Sequence, residues 1–551
     1  MSLSGLVWFW ACEGHWLVER LRRLAIRVRS LSGWRRYGLA VVLGGGAAAA
    51  MPPVGAVPLL VIAFSGLAWL LDGARSHWAA FATGWWFGSG FFAAGLYWVR
   101  QAFLVDPEQF AWLIPFALSA LAAGLALFTG LAAWLAAVLS HPGPQRGIAL
   151  AGTWTMSEMV RGTLFGGFPW NLLAYAWTGV DAMMQPAAVV GAYGMSLLTV
   201  LVATAPAALT ALADPGEAAW ATRGVGWGAA GLLLVLWGAG VGRLGLAGPV
   251  ATQPMVEGVR LRLVQPNTPQ SLRWVPELRA RHFLRQIEMS VSPGSDKITH
   301  VIWPETASAF SLDWHEEARR LVAKAAPPGG AVLTGVLRTT PPVLKPVQFW
   351  NSLMAIDHEG SVVAFYDKAH LVPFGEFVPL RNLLPLPKIT IGSTDFSSGP
   401  GRQTMHTPSL PPVSPLICYE VIFPGAVVEQ SGHPQWMLNV TNDAWFGLSA
   451  GPHQHFASAR WRAVEQGIPL VRVAVTGISG VVDPYGRVVE SLGLGVAGVR
   501  DVSLPVALTR PPPFARWGNT LAAVLDVVCL GAALALKHWR QRNKSMVPSR
   551  S

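Results

Sequence analysis

Over the first half of the chain, apolar runs long enough to cross a bilayer alternate with short polar breaks, and then the pattern changes. A hydrocarbon core is spanned by about 20 apolar residues in helical form. Seven such runs are read before the change, at about 37–54, 57–72, 78–100, 110–139, 146–163, 184–211 and 224–244. Only 13 of the 208 residues from Tyr37 to Leu244 are charged, too few to clothe a water-facing surface. The fifth run carries Glu158 and Arg161 and is the one compatible with a partly wet or re-entrant segment. The first two are short and separated by prolines, which suits a hairpin.

From 245 to about 512 charges return every few positions, and short β-type runs alternate with amphipathic stretches. Strands are expected at 259–264, 300–303, 331–336, 351–356, 362–366, 415–419, 436–440, 471–475 and 480–482. Helices are expected over Pro276–Ser290 and His453–Gln466, where apolar positions recur at three and four. An eighth apolar run at about 517–536 follows. The expected organisation is a basic extension (1–36), a bundle of about seven helices (37–244), an inserted α/β domain (245–512), a last transmembrane helix (513–536) and a basic tail (537–551).

Composition agrees with a polytopic α-helical membrane protein: 52% of the 551 residues are hydrophobic and 13% charged, against about 25% charged in soluble domains. The net charge of +11 would suit nucleic acid, but it sits at the ends of the chain. Residues 1–36 hold seven arginines against Glu13 and Glu19, and 537–551 hold five basic residues and no acid, so each tail carries +5 and the remainder +1. That leaves no basic face for a phosphate backbone. Such tails read as cytoplasmic anchors. Eight spans bring both ends to one side and put the 245–512 domain outside, in the periplasm of a Gram-negative cell. No signal peptide is expected, because the apolar stretch Gly5–Ala11 is short and its positive charge follows it. Cys12, Cys418 and Cys529 are far apart, without a C-x-x-C pair, which supports neither a disulfide framework nor a thiolate metal site.

Three segments set a reactive side chain at the end of an apolar strand: His300–Glu305, Phe365–His370 around Lys368, and Pro415–Glu420 around Cys418. Taken singly, Cys418 reads as a small buried hydrophobe, Lys368 as a solvated strand end and Glu305 as a turn residue. Together they form a nucleophilic set. A thiol attacks well only as thiolate, so it needs a base to take its proton and a cation to favour negative charge. Glu305 and Lys368 supply both without a metal or other cofactor.

Trp303-Pro-Glu305, Tyr366-Asp-Lys368-x-His370-Leu-Val-Pro-Phe-Gly-Glu376 and Ile417-Cys418-Tyr-Glu420 resemble the triad motifs of the nitrilase (carbon-nitrogen hydrolase) superfamily. Over nearly its whole length the chain resembles that superfamily's membrane-embedded branch, the apolipoprotein N-acyltransferase family. Pro266–Trp274, Asn439–Gly447, Gly477–Gly486 and Phe165–Trp170 join the resemblance, while Asn171 stands where an apolar residue is expected. The resemblance implies an αββα sandwich with Glu305 as general base, Lys368 as oxyanion stabiliser and Cys418 as nucleophile. It gives Glu376, Tyr419 and Glu420 supporting roles, and Trp170, Trp274, Phe374 and Trp445 contacts with substrate.

The implied reaction moves an acyl chain from a phospholipid, expected to be phosphatidylethanolamine, through a Cys418 thioester to the α-amine of a diacylglyceryl-cysteine on apolipoproteins. The implied setting is a monomer in the bacterial inner membrane. The segment Leu371–Ile389, with its Pro-Leu-Arg-Asn-Leu-Leu-Pro-Leu-Pro stretch, is compatible with an apolar arm dipping into the leaflet or with a loop packed on its own domain. A membrane-tethered amidase or nitrile hydrolase with the same triad, or a transporter with a periplasmic domain, is the competing reading.

Overall fold

The structure is a computed structural model and describes residues 19–211, 219–341, 343–378 and 394–545. The expectations for residues 1–18, for the 379–389 part of the proposed arm and for the end of the basic tail lie outside the described residues.

Every expected apolar run contains helix. After helical residues 19–30 come Gly33–Ala48, Pro58–Asp72, His77–Gly95, Ile114–Leu139, Pro144–Arg161, Ala187–Ala203, Ala205–Ala211, Ala219–Ala247 and, beyond the α/β domain, Thr520–Ser545. Among the described residues, four stretches are long and apolar enough to cross a membrane: Pro107–Leu139, Ala187–Thr210, Gly224–Thr252 and Thr520–Trp539. Pro58–Asp72 is apolar but shorter.

Small residues bring some of these helices unusually close. A Cβ on Gly44 would lie 1.9 Å from the Phe87 carbonyl oxygen, and one on Gly90 would lie 2.2 Å from that of Val41. Only glycine permits backbone packing of that kind. The charges of Pro144–Arg161 are buried and paired. Arg146 lies 3.4 Å from Asp72, and Glu158 accepts from the Leu173 N–H at 3.0 Å and the Trp154 indole at 3.2 Å. Arg161 donates to the Phe168 and Trp170 carbonyls at 2.5 and 2.8 Å. The two residues that made the fifth run ambiguous therefore clamp the loop that follows it.

The α/β domain is a two-sheet sandwich. Its strands are β1 Met255–Gln265, β2 His300–Ile302, β3 Ala331–Thr339, β4 Phe349–Asp357, β5 Val362–Asp367, β6 Val413–Ile417, β7 Trp436–Thr441, β8 Leu470–Ala474, β9 Ser479–Val482, β10 Val488–Leu492 and β11 Gly498–Pro505. The first sheet runs β11-β1-β2-β3-β4-β5 and the second β10-β9-β8-β7-β6. β1, β2 and β3 are mutually parallel, as are β6, β7 and β8. All nine expected strands are present. β10 and β11 were not expected, because polar residues interrupt both: Glu490 in one, Arg500, Asp501 and Ser503 in the other. The short helix Glu316–Ala323 was also missed, since eight residues give too little periodicity.

Leu261, Leu263, Ile302 and Leu333 of the first sheet meet Ile417, Leu438, Val440 and Val473 of the second in a buried apolar core. Pro276–Ser290 and Glu316–Ala323 cover the outer face of the first sheet through Phe283 and Val322. Ala450–Gln466 covers the second, completing an αββα order, and its other side faces the membrane helices. There Trp461 donates to the Thr178 hydroxyl at 3.0 Å, and Glu465 accepts from the Ala192 N–H at 2.9 Å. The domain and the helical bundle thus share one core.

Candidate active site

The parallel strands end on the same edge of the sandwich, which is where an open α/β sheet gathers ligands. β2 ends just before Trp303-Pro304-Glu305, and the turn there is drawn tight. Gly335 of β3 donates to the Pro304 carbonyl at 3.1 Å, and a Cβ at Gly335 would lie 2.5 Å from the Glu305 Cα. Only glycine allows β3 to hold Glu305 so closely. Arg273 secures the turn from outside by donating to the carbonyls of Glu305 and Thr306.

Cys418 follows β6 in a left-handed conformation, φ 54°, uncommon for a residue with a Cβ and a mark of a position held by its surroundings. Glu420 does much of the holding. One of its carboxylate oxygens accepts from the Ile417 N–H at 2.7 Å. The other accepts from the Tyr366 hydroxyl and from the N–H groups of Ala369 and His370, at 2.8, 2.9 and 3.0 Å. One carboxylate therefore ties the end of β6 to the turn after β5, where Lys368 sits.

Lys368 is 1% exposed. Its ammonium donates to Glu376 Oε1 at 2.9 Å. Asn351 donates both to that oxygen, at 2.9 Å, and to Glu305 Oε1, at 2.7 Å. Glu305 Oε2 accepts from the Asn442 N–H at 2.7 Å. Glu305, Asn351, Glu376 and Lys368 thus form one buried network, and Cys418 feels the charge of both Glu305 and Lys368.

Burial sets the proton affinities here. It raises the Glu305 carboxyl above the usual range, with Lys368 pulling the other way. Burial also opposes the charge of Lys368, but Glu376 and Glu305 outweigh it and hold the ammonium more firmly than in water. Burial and Glu305 together push the Cys418 thiol up, against Lys368. The resting thiol therefore holds its proton, with a buried carboxyl and a buried ammonium in electrostatic reach. The set can run nucleophilic chemistry at a carbonyl, with the proton moving only as attack proceeds.

The other expected residues are dispersed around this centre. Tyr419 donates its hydroxyl to the Gly167 carbonyl at 2.6 Å, and His370 meets the Gly166 carbonyl at 2.5 Å. The turn that carries Cys418 is thereby fastened to the loop clamped by Glu158 and Arg161. Trp170, on that loop, is 2% exposed and donates to Gln454 at 2.8 Å, so its surroundings in this structure are packed protein. Trp274 is half-buried and lines a small cavity with Arg273, Phe283 and Pro304. Trp445 is half-buried in the Asp443–Phe446 turn. Phe374 is 40% exposed with φ 62°. Asn171 donates to the Gly95 carbonyl at 3.2 Å, a polar use for a position where an apolar residue was expected. Sequence reading did not single out Asn351, Asn442 or Arg273. The last two lie inside the quoted motifs Asn439–Gly447 and Pro266–Trp274, while Asn351 stands alone at the start of β4 and gave no signal.

Two families match the chain: the apolipoprotein N-acyltransferase N-terminal domain over residues 43–205 and carbon-nitrogen hydrolase over 260–512. A protein of Rhodopseudomonas palustris described as apolipoprotein N-acyltransferase is 43% identical, covering 94% of this chain and 98% of its own length. The chain belongs to the apolipoprotein N-acyltransferase family. Relatives of the same description in Bradyrhizobium diazoefficiens and Brucella suis are 41% and 36% identical, over 98% and 99% of their lengths. Among solved structures, a mutant of the Nesterenkonia AN1 amidase from the nitrilase superfamily is 20% identical, covers 46% of this chain and 93% of its own, and has a TM-score of 0.33. Within the N-acyltransferase family frame, the N-terminal match covers the helices from Pro58–Asp72 to Ala187–Ala203 and the loop at Gly166–Gly167, and the hydrolase match covers the sandwich holding Glu305, Lys368 and Cys418.

Proposed function

We propose that the protein transfers an acyl chain from a phospholipid to the α-amine of the N-terminal diacylglyceryl-cysteine of apolipoproteins, through a thioester on Cys418. Glu305 takes the thiol proton as sulfur attacks the ester carbonyl. The carbon–oxygen bond then breaks, and the leaving alkoxide takes that proton back to give the lysophospholipid. In the second half the lipoprotein amine attacks the thioester, loses a proton to Glu305 and leaves as an amide, and the thiol is restored. Lys368 and the Tyr419 N–H stabilise the oxyanion of both tetrahedral intermediates, where one well-aimed donor contributes about 3 to 4 kcal/mol. Glu376 holds Lys368, and Glu420 orders the nucleophile turn.

The observation that carries this reading is the burial of Lys368 between Glu376 and Glu305, with Cys418 in electrostatic reach, on a domain packed into apolar helices. Both substrates carry acyl chains, and withdrawing these from lipid costs about 0.8 kcal/mol per CH2. A site joined to the bundle at Gly166 and Gly167 meets them at the membrane. All three reacting groups come from one chain, which suits a monomer. The remaining helices, Gly33–Ala48, Pro58–Asp72, His77–Gly95 and Pro144–Arg161, complete eight spans with the four long ones. The basic tails keep both ends in the cytoplasm and the sandwich in the periplasm of an inner-membrane protein. Phosphatidylethanolamine is the acyl donor in this scheme, and Trp274, Phe374 and Trp445 contact the substrates.

The test is incubation of detergent-purified protein with phosphatidylethanolamine and a diacylglyceryl-cysteine peptide bearing a free amine. The expected products are N-acyl peptide and lysophospholipid in equal amounts, with neither formed by Cys418→Ala. Free fatty acid in place of N-acyl peptide identifies the hydrolase instead, and a Cys418→Ala strain that matures lipoproteins normally rules out both enzymes.

A further inference from the structure

Behind Cys418 lie four polar side chains that the acyl-transfer scheme leaves unused, each 0% exposed: Asn439 of β7, Asp443 in the turn after it, His455 of the Ala450–Gln466 helix and Arg472 of β8. Buried polar groups are costly unless they are paired, and these are closed on one another. Asp443 Oδ1 accepts from the Thr441 hydroxyl at 3.0 Å and lies 2.9 Å from His455 Nδ1; its Oδ2 accepts from Arg472 at 2.7 Å. Arg472 also donates to the Asn439 side-chain oxygen, and its Nη2 lies 3.0 Å from His455 Nδ1. Trp170 and Phe446 rings, at 5.4 and 5.7 Å, enclose the imidazole.

Two polar ends of this cluster, one from His455 and one from Asn439, converge on one atom. His455 Nε2 lies 3.1 Å and Asn439 Nδ2 lies 3.4 Å from the carbonyl oxygen of Cys418. Asn439 also donates to the Leu416 carbonyl at 3.1 Å. A carbonyl only accepts, so Nε2 carries the hydrogen whichever partner Nδ1 engages. With Nε2 committed to the backbone, His455 is turned away from acid–base work on the thiol.

The Cys418–Tyr419 peptide is trans. In a planar trans peptide the C=O and the next N–H point in opposite directions. Fixing the Cys418 carbonyl therefore also fixes the aim of the Tyr419 N–H, and it does so at a residue whose left-handed backbone needs external support. We infer that His455, helped by Asn439, is a positioning residue that sets the oxyanion-binding Tyr419 N–H by holding the Cys418 carbonyl from behind. This inference rests on the acyl-transfer reading above. Asp443 and Arg472 orient the imidazole and the amide, and neither touches the substrate.

The experiment compares two rates on Cys418 in full-length protein: acylation by phosphatidylethanolamine, read by intact mass, and alkylation by iodoacetamide, which needs the thiol but develops no oxyanion. His455→Leu is expected to slow acylation about 100-fold, the scale of one lost oxyanion donor, with alkylation within about threefold of the unaltered protein. His455→Gln, which can still offer an N–H, is expected to recover about tenfold of the loss. If His455→Leu fails to fold, Asn439→Ala addresses the same carbonyl with the same expected split at about tenfold. Equal losses of acylation and alkylation, or unchanged acylation, overturn the inference. An unaltered protein that forms no thioester overturns the acyl-transfer reading itself, and the inference falls with it.

Discussion

The two sheets bring two buried ionic clusters to Cys418, and they close their charges differently. On the first sheet, Glu305 and Glu376 share Lys368 as their buried cation through Asn351, whose own Oδ1 has no hydrogen-bond partner. On the second, Asp443 and Arg472 pair one to one, with His455 and Thr441 completing the carboxylate's shell. Their proton affinities diverge accordingly: burial raises Glu305, whereas Arg472 and His455 overcome burial and hold Asp443 well below the carboxylate range. An acid left with surplus negative charge nearby can take up a proton, and an acid tightly paired with a guanidinium cannot. In the proposed scheme, similar residue types thus serve proton transfer on one side of Cys418 and geometry on the other.

The comparison breaks most readily at Lys368. Lys368→Met removes the cation shared by two buried acids and, in the proposed scheme, one oxyanion donor, and is expected to lower acyl transfer about 1000-fold. The same substitution leaves Glu305 and Glu376 facing each other, so a fall in Tm should accompany the lost rate. Activity near that of the unaltered protein would remove Lys368 from the chemistry.

Arg472→Met is the counterpart on the second sheet. It strands Asp443 in the core, and loss of one partner of such a pair costs about 3 to 5 kcal/mol. Thermal unfolding should shift more here than for Glu305→Gln, whose main effect is a rate loss of about 100- to 10000-fold from removal of the base. Similar Tm values for Arg472→Met and the unaltered protein would contradict the division of labour.

Acid separates the clusters by sign. Glu305 binds its proton more tightly in the folded state than in the unfolded chain, so its ionisation reduces stability as pH rises through the unfolded value. Asp443 is the reverse: its stabilisation is present above the ordinary Asp range and is lost as pH falls toward its depressed folded value. Asp443→Asn should therefore flatten the loss of stability in acid, and Glu305→Gln should not. Because Glu305 must be ionised to act as a base, the acid limb of the acylation rate is expected above about pH 4.3, the ordinary glutamate value. A limb below that value would exclude Glu305 as the base.

The smallest expected effect lies at the junction with the membrane helices. Tyr419→Phe removes one hydrogen bond, to the Gly167 carbonyl, and should cost about 1 kcal/mol of stability. Acyl transfer would fall by no more than about tenfold. A larger loss would give the hydroxyl a direct part in the reaction.

Much of this was legible in the chain because its signals repeat. The apolar runs located the helices, and the strands ending at Ile302, Asp367 and Ile417 located the turns that carry Glu305, Lys368 and Cys418. What escaped reading were single residues whose partners lie far away in sequence. Asn351 is an ordinary strand residue until β4 lies between Glu305 and Glu376, and His455 is one polar position on a helix until that helix packs behind Cys418. Glu158 and Arg161 left the fifth run open to two readings for the related reason that a charge inside an apolar run suggests water, whereas here their partners include backbone groups of residues 168–173 and the Trp154 indole. Spacing along the chain reports local structure, and these contacts are set by the packing of sheet on sheet and domain on bundle.

The central claim is that the acyl chain rests on Cys418 between donor and acceptor. Intact mass of the purified protein after exposure to phosphatidylethanolamine alone, and again after addition of diacylglyceryl-cysteine peptide, tests it most directly. One acyl adduct on Cys418 that persists without the peptide and passes to it on addition is the predicted result. Transfer to the peptide at full rate from a protein that never carries an adduct, or from Cys418→Ala, would contradict it.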